Sequence, residues 1–92
     1  MIGSFRDAET EEIFQQQPSK PYRSIEKVAL RKLFHLNRAT SLLDLAAIPG
    51  NRLEALKGPR SGQYSIRIND QYRVCFTWKD GDAYDVEITD YH

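Results

Sequence analysis

An α+β fold, two N-terminal helices packed on an antiparallel sheet of about four strands, is predicted by a change of rhythm along the chain. Apolar residues recur at helical spacing up to residue 39 and then every second residue from residue 64 onward. Glycine, proline, asparagine and aspartate punctuate the second half at short intervals, as strand connections require. Segregated helices and strands in that order give helices on one face of a sheet.

The opening "MIGSF" is expected to form a short strand. "DAETEEIFQQQ" follows as a first helix, with Asp7 at its start, acidic side chains in its first turns, and Ile13 and Phe14 turned inward. Pro18 and Pro21 end it. From Tyr22 to about Ala39, the residues Ile25, Val28, Ala29, Leu33 and Leu36 fall at i, i+3, i+4, i+8 and i+11. That spacing makes one apolar stripe. Lys27, Arg31, Lys32, His35 and Arg38 lie largely outside it, and His35 is expected at the surface. "SLLDLAAIPG" is expected to be an irregular turn or short helix leading to the Pro49-Gly50 break.

Four strands follow: "NRLEALK", "QYSIRI", "QYRVCFTW" and "AYDVEI". Alternation places Tyr64, Ile66 and Ile68 on one face, then Tyr72, Val74, Phe76 and Trp78, then Tyr84, Val86 and Ile88. Register then becomes a constraint. Ile68 and Tyr72 share the core face only if they pair across a three-residue loop, Asn69-Asp70-Gln71, because a slip by one reverses every side chain. Arg67 and Arg73 then stand opposite each other on the polar face. Like charges so placed are unfavourable, so either a countercharge or an anionic ligand is needed. Pairing Trp78 with Tyr84 across "KDGDA" puts Cys75 opposite Glu87 and Arg73 opposite Thr89. Glu87 becomes a candidate partner for Arg73. Continuing the meander brings Tyr91 to the polar face near Gln71, beyond Arg73.

The formal charge of zero conceals a segregation. Residues 1–19 set Arg6 against four acids, residues 20–60 carry nine Lys/Arg against three acids, and residues 79–92 set Lys79 against five. A basic middle segment suits a polyanion. One cysteine allows no internal disulfide, the acidic N-terminus is unlike a secretion signal, and no apolar run approaches the roughly 20 residues of a membrane span. A cytoplasmic protein with no membrane association is the expectation, with residues 1–92 forming one domain.

The chemistry-bearing residues cluster late. Cleaving RNA without a metal needs a group to take the 2′-hydroxyl proton, a cation to stabilise the phosphorane, and an acid for the departing 5′ oxygen. The terminal Asp90-Tyr91-His92, the arginines of the sheet, and Lys57 and Arg60 in the glycine-flanked loop "LKGPRSG" supply all of these types. The two histidines and single cysteine lack zinc spacing, "DGDAYD" is too short for a calcium loop, and no phosphate loop or nucleophile elbow occurs. No metal or cofactor is expected.

Taken together, "GNRLEALKG-R-GQYSIRINDQYRVCF", the closing "DVEITDYH" and the early "SFRDAETEEIF" resemble the HigB family of bacterial toxins in the RelE/ParE superfamily, over essentially the whole chain. The resemblance implies a RelE-like fold. It implies a toxin that enters the ribosomal A site of the 70S ribosome and cuts translated mRNA without a metal. A HigA-type antitoxin with a helix-turn-helix domain would neutralise it and, with the toxin, repress their operon, so that operator DNA is reached only through the antitoxin. By resemblance, His92 transfers a proton and Tyr91 orients the substrate beside Asp90. Arg73 and Lys57 hold the scissile phosphate, with Arg60, Arg67 and Gln71 as neighbours. Glu54 stands where some members have histidine, and Gln71 where some have asparagine; glutamate can also act as a base, so activity is expected. Two other readings fit the same chain: a ParE-type inhibitor of DNA gyrase, and a non-catalytic antitoxin-binding regulatory module.

Overall fold

The computed structural model describes residues 1–91. Helix α1 (Ala8–Phe14) is capped by the Asp7 carboxylate, which accepts from the Thr10 N–H at 2.8 Å, and it ends before the glutamine run. A 3₁₀ turn, Arg23–Ile25, leads into α2 (Glu26–Arg38), so the regular part of the second helix is shorter than the apolar periodicity suggests. α3 (Leu42–Ala46) starts at a reciprocal Ser41/Asp44 capping box. The sheet is an antiparallel meander in the order β1 (Glu54–Ala55), β2 (Gln63–Arg67), β3 (Tyr72–Lys79), β4 (Asp82–Asp90). The predicted α+β fold is therefore present. "NRLEALK" contributes only two strand residues.

Residues of "MIGSF" run along the outer side of β4 as isolated parallel bridges, Ile2 to Ala83 and Phe5 to Val86. Gly3 lies against the Tyr84 ring, where an added Cβ would sit 2.4 Å from it. The core lies between the helices and one sheet face. Ile13 of α1 and Ala29, Leu33 and Leu36 of α2 meet Ile66, Val74, Phe76, Val86 and Ile88 there, all buried. α1 is tied to the sheet by the Thr10 hydroxyl, which accepts from the Ile88 N–H at 3.0 Å.

Arg67 pairs with Arg73, Cys75 with Glu87 and Arg73 with Thr89, as the alternation predicts. The β3–β4 turn differs. Asp80 and Gly81 form a two-residue turn with φ of 52° and 82°, and Trp78 pairs with Ala83, not Tyr84. Positive φ at both positions matches the twist of a tight hairpin. The register shifts between Cys75 and Thr77, leaving one extra residue on β4 in a bulge that includes Asp85 at φ 53°. Ala83 is thereby buried, while Tyr84 sits with Thr77 on the opposite face and not in the core. Beyond the bulge the predicted register resumes.

Two expectations for α2 are also corrected. Lys32 is buried, with its ammonium donating to the Asn51 side-chain oxygen at 2.6 Å, and His35 is half-buried, not at the surface. Lys32 stands three residues beyond Ala29, on the buried side of the helix. Among the described residues, no helix is long and apolar enough to cross a membrane.

Candidate active site on the second face of the sheet

The face turned away from the helices is partly covered. Ser65, Arg73 and Cys75, all on this face, are buried; Arg73 reaches past Ser65 to Arg52 and Glu54 at the β1 edge, and Cys75 meets the Tyr91 hydroxyl. Arg52 takes a positive φ of 45° as the chain turns from Asn51 into β1. The Arg73 guanidinium lies across β2 towards this edge segment. Its Nε donates to Ser65 Oγ at 2.7 Å, its Nη2 to the Arg52 carbonyl, and its Nη1 lies 3.5 Å from Glu54 Oε1. Nη2 also donates to the Ser65 carbonyl at 3.4 Å, and these four contacts through all three nitrogens fix the planar group in one orientation.

Beside it opens a cleft of about 220 Å³, lined by Arg52, Glu54, Arg67, Arg73 and Tyr91, with Asn69 and Asp70 of the β2–β3 loop at its rim. Three arginines face two carboxylates. Arg67 pairs with Asp70, whose side chain is fully exposed, and Arg73 pairs with Glu54, whose side chain is 57% exposed. Both opposed arginines therefore have countercharges that reach in from solvent. An incoming phosphate could replace either carboxylate without a large desolvation cost. Glu87 is not the partner of Arg73; it lies 3.5 Å from Arg60 and 3.4 Å from Arg6. A bond from Arg60 to Gln63 Oε1 at 3.0 Å holds it on that side.

The end of β4 is held in place. The Tyr91 N–H donates to the Gln71 carbonyl at 2.6 Å, and Gln71 Nε2 donates to Asp90 Oδ2 at 3.1 Å. These bonds turn the Tyr91 ring over the second face, with its hydroxyl 4.0 Å from Cys75 Sγ. Burial of the hydroxyl, then the neighbouring Cys75, push the Tyr91 pKa above that of an ordinary phenol; Arg60 and Arg73 pull more weakly the other way. Tyr91 therefore keeps its proton at neutral pH. It can donate a hydrogen bond or a proton, but it is poorly suited to be a base.

Of the residues singled out from sequence, Glu54, Arg67, Arg73 and Tyr91 meet in one cleft, while Gln71 and Asp90 hold the Tyr91 backbone in place without lining it. Arg60 approaches from the side. Lys57 is exposed on the connection before the 3₁₀ turn Gly58–Arg60 and is not among the cleft-lining residues. His92 lies outside the described residues. Sequence reading overlooked Arg52, Asn69 and Asp70. Arg52 precedes Glu54 by two, the spacing that shares a strand face, and the loop containing Asn69 and Asp70 had already been located by register.

Residues 3–92 match the sequence profile of the HigB-like toxins, RelE-like toxins of type II toxin–antitoxin systems. The chain belongs to the HigB-like toxin family. Toxin HigB-1 of Vibrio cholerae is 42% identical over 87 residues, spanning 90% of each chain. Endoribonuclease HigB of Proteus vulgaris is 31% identical over 98 residues, spanning both chains fully. A YoeB chain from the heterotetrameric YoeB–YefM toxin–antitoxin complex of Staphylococcus aureus superposes with a TM-score of 0.62 at 21% identity, covering 100% of this chain and 98% of that one. That likeness extends the HigB-like assignment to a shared RelE-type fold.

Proposed function

We propose that this HigB-like toxin is a ribosome-dependent endoribonuclease that cuts translated mRNA by metal-independent attack of a 2′-hydroxyl on the adjacent phosphate. The observation that carries the reading is the Arg73 guanidinium, fixed from three sides at the floor of a cleft that also presents Glu54 and the Tyr91 hydroxyl. A cation preset where phosphorane charge develops stabilises the transition state more than the ground state. In this scheme Arg73 and Arg67 bind the non-bridging oxygens, and Glu54 takes the 2′-hydroxyl proton. Tyr91, protonated, orients or supplies a proton to the 5′ oxygen. The parts assigned to His92 in proton transfer, and to Lys57 and Arg60 as outer phosphate contacts, rest on family resemblance. The Proteus vulgaris relative named an endoribonuclease supports the reaction class.

The natural partner in this reading is a HigA-type helix-turn-helix antitoxin that neutralises the toxin and, with it, represses their operon. The 70S ribosome would present the mRNA in its A site, in the cytoplasm, to a single toxin domain spanning residues 1–92. The test is primer extension on an mRNA translated by purified components, with wild-type protein and with Arg73→Ala and His92→Ala. Breaks within the translated region that need ribosomes and disappear with Arg73→Ala are expected. Intact mRNA alongside inhibited gyrase supercoiling would replace this reading with gyrase inhibition. Intact mRNA without growth arrest would leave a regulatory antitoxin-binding module.

A further inference from the structure

We propose that Lys32, on the opposite side of the sheet from the cleft, is a positioning residue that orients Arg73 through Asn51; the inference rests on the endoribonuclease reading for its kinetic part only. A lysine that is 5% exposed and has no carboxylate partner among the described residues is uncommon in a small domain. Among the described residues its ammonium makes one hydrogen bond, to Asn51 Oδ1 at 2.6 Å. Hydrophobic side chains of similar size usually fill such positions at no loss of stability. What the lysine does have is a location under the one residue that ties three elements together.

Asn51 is fully buried and uses every polar group it has. Its Oδ1 accepts from Lys32 of α2, and its Nδ2 donates to the Leu45 carbonyl of α3 at 3.1 Å. Its backbone N–H donates to the Ile48 carbonyl at 3.2 Å, and its carbonyl accepts from the Arg67 N–H of β2 at 2.6 Å. The next residue, Arg52, turns at φ 45° and offers its carbonyl to Arg73 Nη2; two residues further, Glu54 faces Arg73 Nη1. The path is continuous: Lys32 to Asn51, Asn51 to the Arg52 carbonyl, and that carbonyl to the guanidinium. Two of the four contacts that orient Arg73 therefore come from a segment whose starting point is pegged by Lys32. The Asn51 backbone carbonyl also holds the Arg67 N–H, so one buried residue sets the height of both opposed arginines.

The test uses Lys32→Met and the double variant Lys32→Met/Asn51→Leu, the second of which removes both partners of the bond together and, with them, the Asn51 contacts to the Leu45 carbonyl and His35. Two readouts are taken beside the urea midpoint. The first is solvent exchange of the Arg73 Nε–H by NMR, slow in the wild type because that proton is buried against Ser65. The second is the cutting rate on translating ribosomes as a function of toxin concentration. Both variants are expected to fold cooperatively at a lowered midpoint, to exchange Arg73 Nε–H at least tenfold faster, and to cut about 10- to 100-fold more slowly at saturation with half-saturation unchanged. Wild-type exchange and cutting rates in a stably folded variant would overturn the proposal. Loss of fold in both variants would also overturn it, making the hub structural support alone. If the wild type cuts nothing, the endoribonuclease reading fails, while the exchange rates still decide whether Lys32 orients Arg73.

Discussion

Replacing Arg73 by lysine keeps the charge and removes the geometry, and the size of the effect follows from the contacts. The guanidinium donates to Ser65 Oγ at 2.7 Å and to the Arg52 carbonyl, and lies 3.5 Å from Glu54 Oε1. A lysine ammonium reaches one of these sites. One charge-assisted bond is then lost, about 1.5–3 kcal/mol. The contact with Glu54, which is 57% exposed, adds only about 0–1 kcal/mol. A total of roughly 2–4 kcal/mol is a large part of the ~5–15 kcal/mol that holds a domain folded. Urea unfolding followed by Trp78 fluorescence measures it, with Glu54→Gln as the control expected to shift by less than about 1 kcal/mol. A loss below about 1 kcal/mol for Arg73→Lys would mean that these contacts do not fix the guanidinium against the β1 edge, and the preset cation would lose its structural basis.

Tyr91→Phe should leave stability within about 0.5 kcal/mol, since the hydroxyl's contact among the described residues is a thiol at 4.0 Å, yet slow mRNA cutting by at least about tenfold in the primer-extension assay. Asp70→Asn should release Arg67 from its exposed partner and tighten RNA binding several-fold at low salt, an effect that titration at high salt erases. Burial first, and then Lys32, Arg31 and Arg38, lower the His35 pKa, while a contact with Asn51 opposes them. The native state thus sheds that proton before the unfolded chain does, so stability is expected to climb as pH rises towards about 6.5 and to level off above it. His35→Gln should flatten that rise in the urea midpoint.

The features legible in the sequence are those that strict alternation controls. Ile68 and Tyr72 on the core face forced a three-residue loop, and with it the meeting of Arg67 and Arg73, because a one-residue slip would have buried polar side chains. The same reasoning failed at Tyr84. An Asp-Gly pair signals a two-residue turn, but accepting it requires an extra residue further along β4, and nothing about Asp85 announces a left-handed backbone. Lys32 was misplaced because periodicity counts lysine as polar, whereas a buried amide can satisfy an ammonium where a helix crosses a loop. In the cleft, Arg73, Arg67 and Tyr91 followed from register. Arg52 and Asp70 did not, because their positions depend on how irregular segments fold over the sheet. Glu87 was assigned to the wrong arginine for the same reason: a long side chain on the 3₁₀ turn reaches it first.

The arrangement of β4 has a consequence for biosynthesis. β4, made after the three strands it completes, lies between β3 and the first six residues, and it carries Ile88 into the core and leads to Tyr91 over the cleft. A nascent chain that stops before Asp82 has no partner for its opening segment and leaves β3, with Val74 and Phe76, as a bare strand edge. Such an edge invites association with other chains. Prematurely terminated products should therefore clump and be cleared, not act as partial poisons; a fragment of residues 1–79 that stays monomeric with protected amides would contradict this.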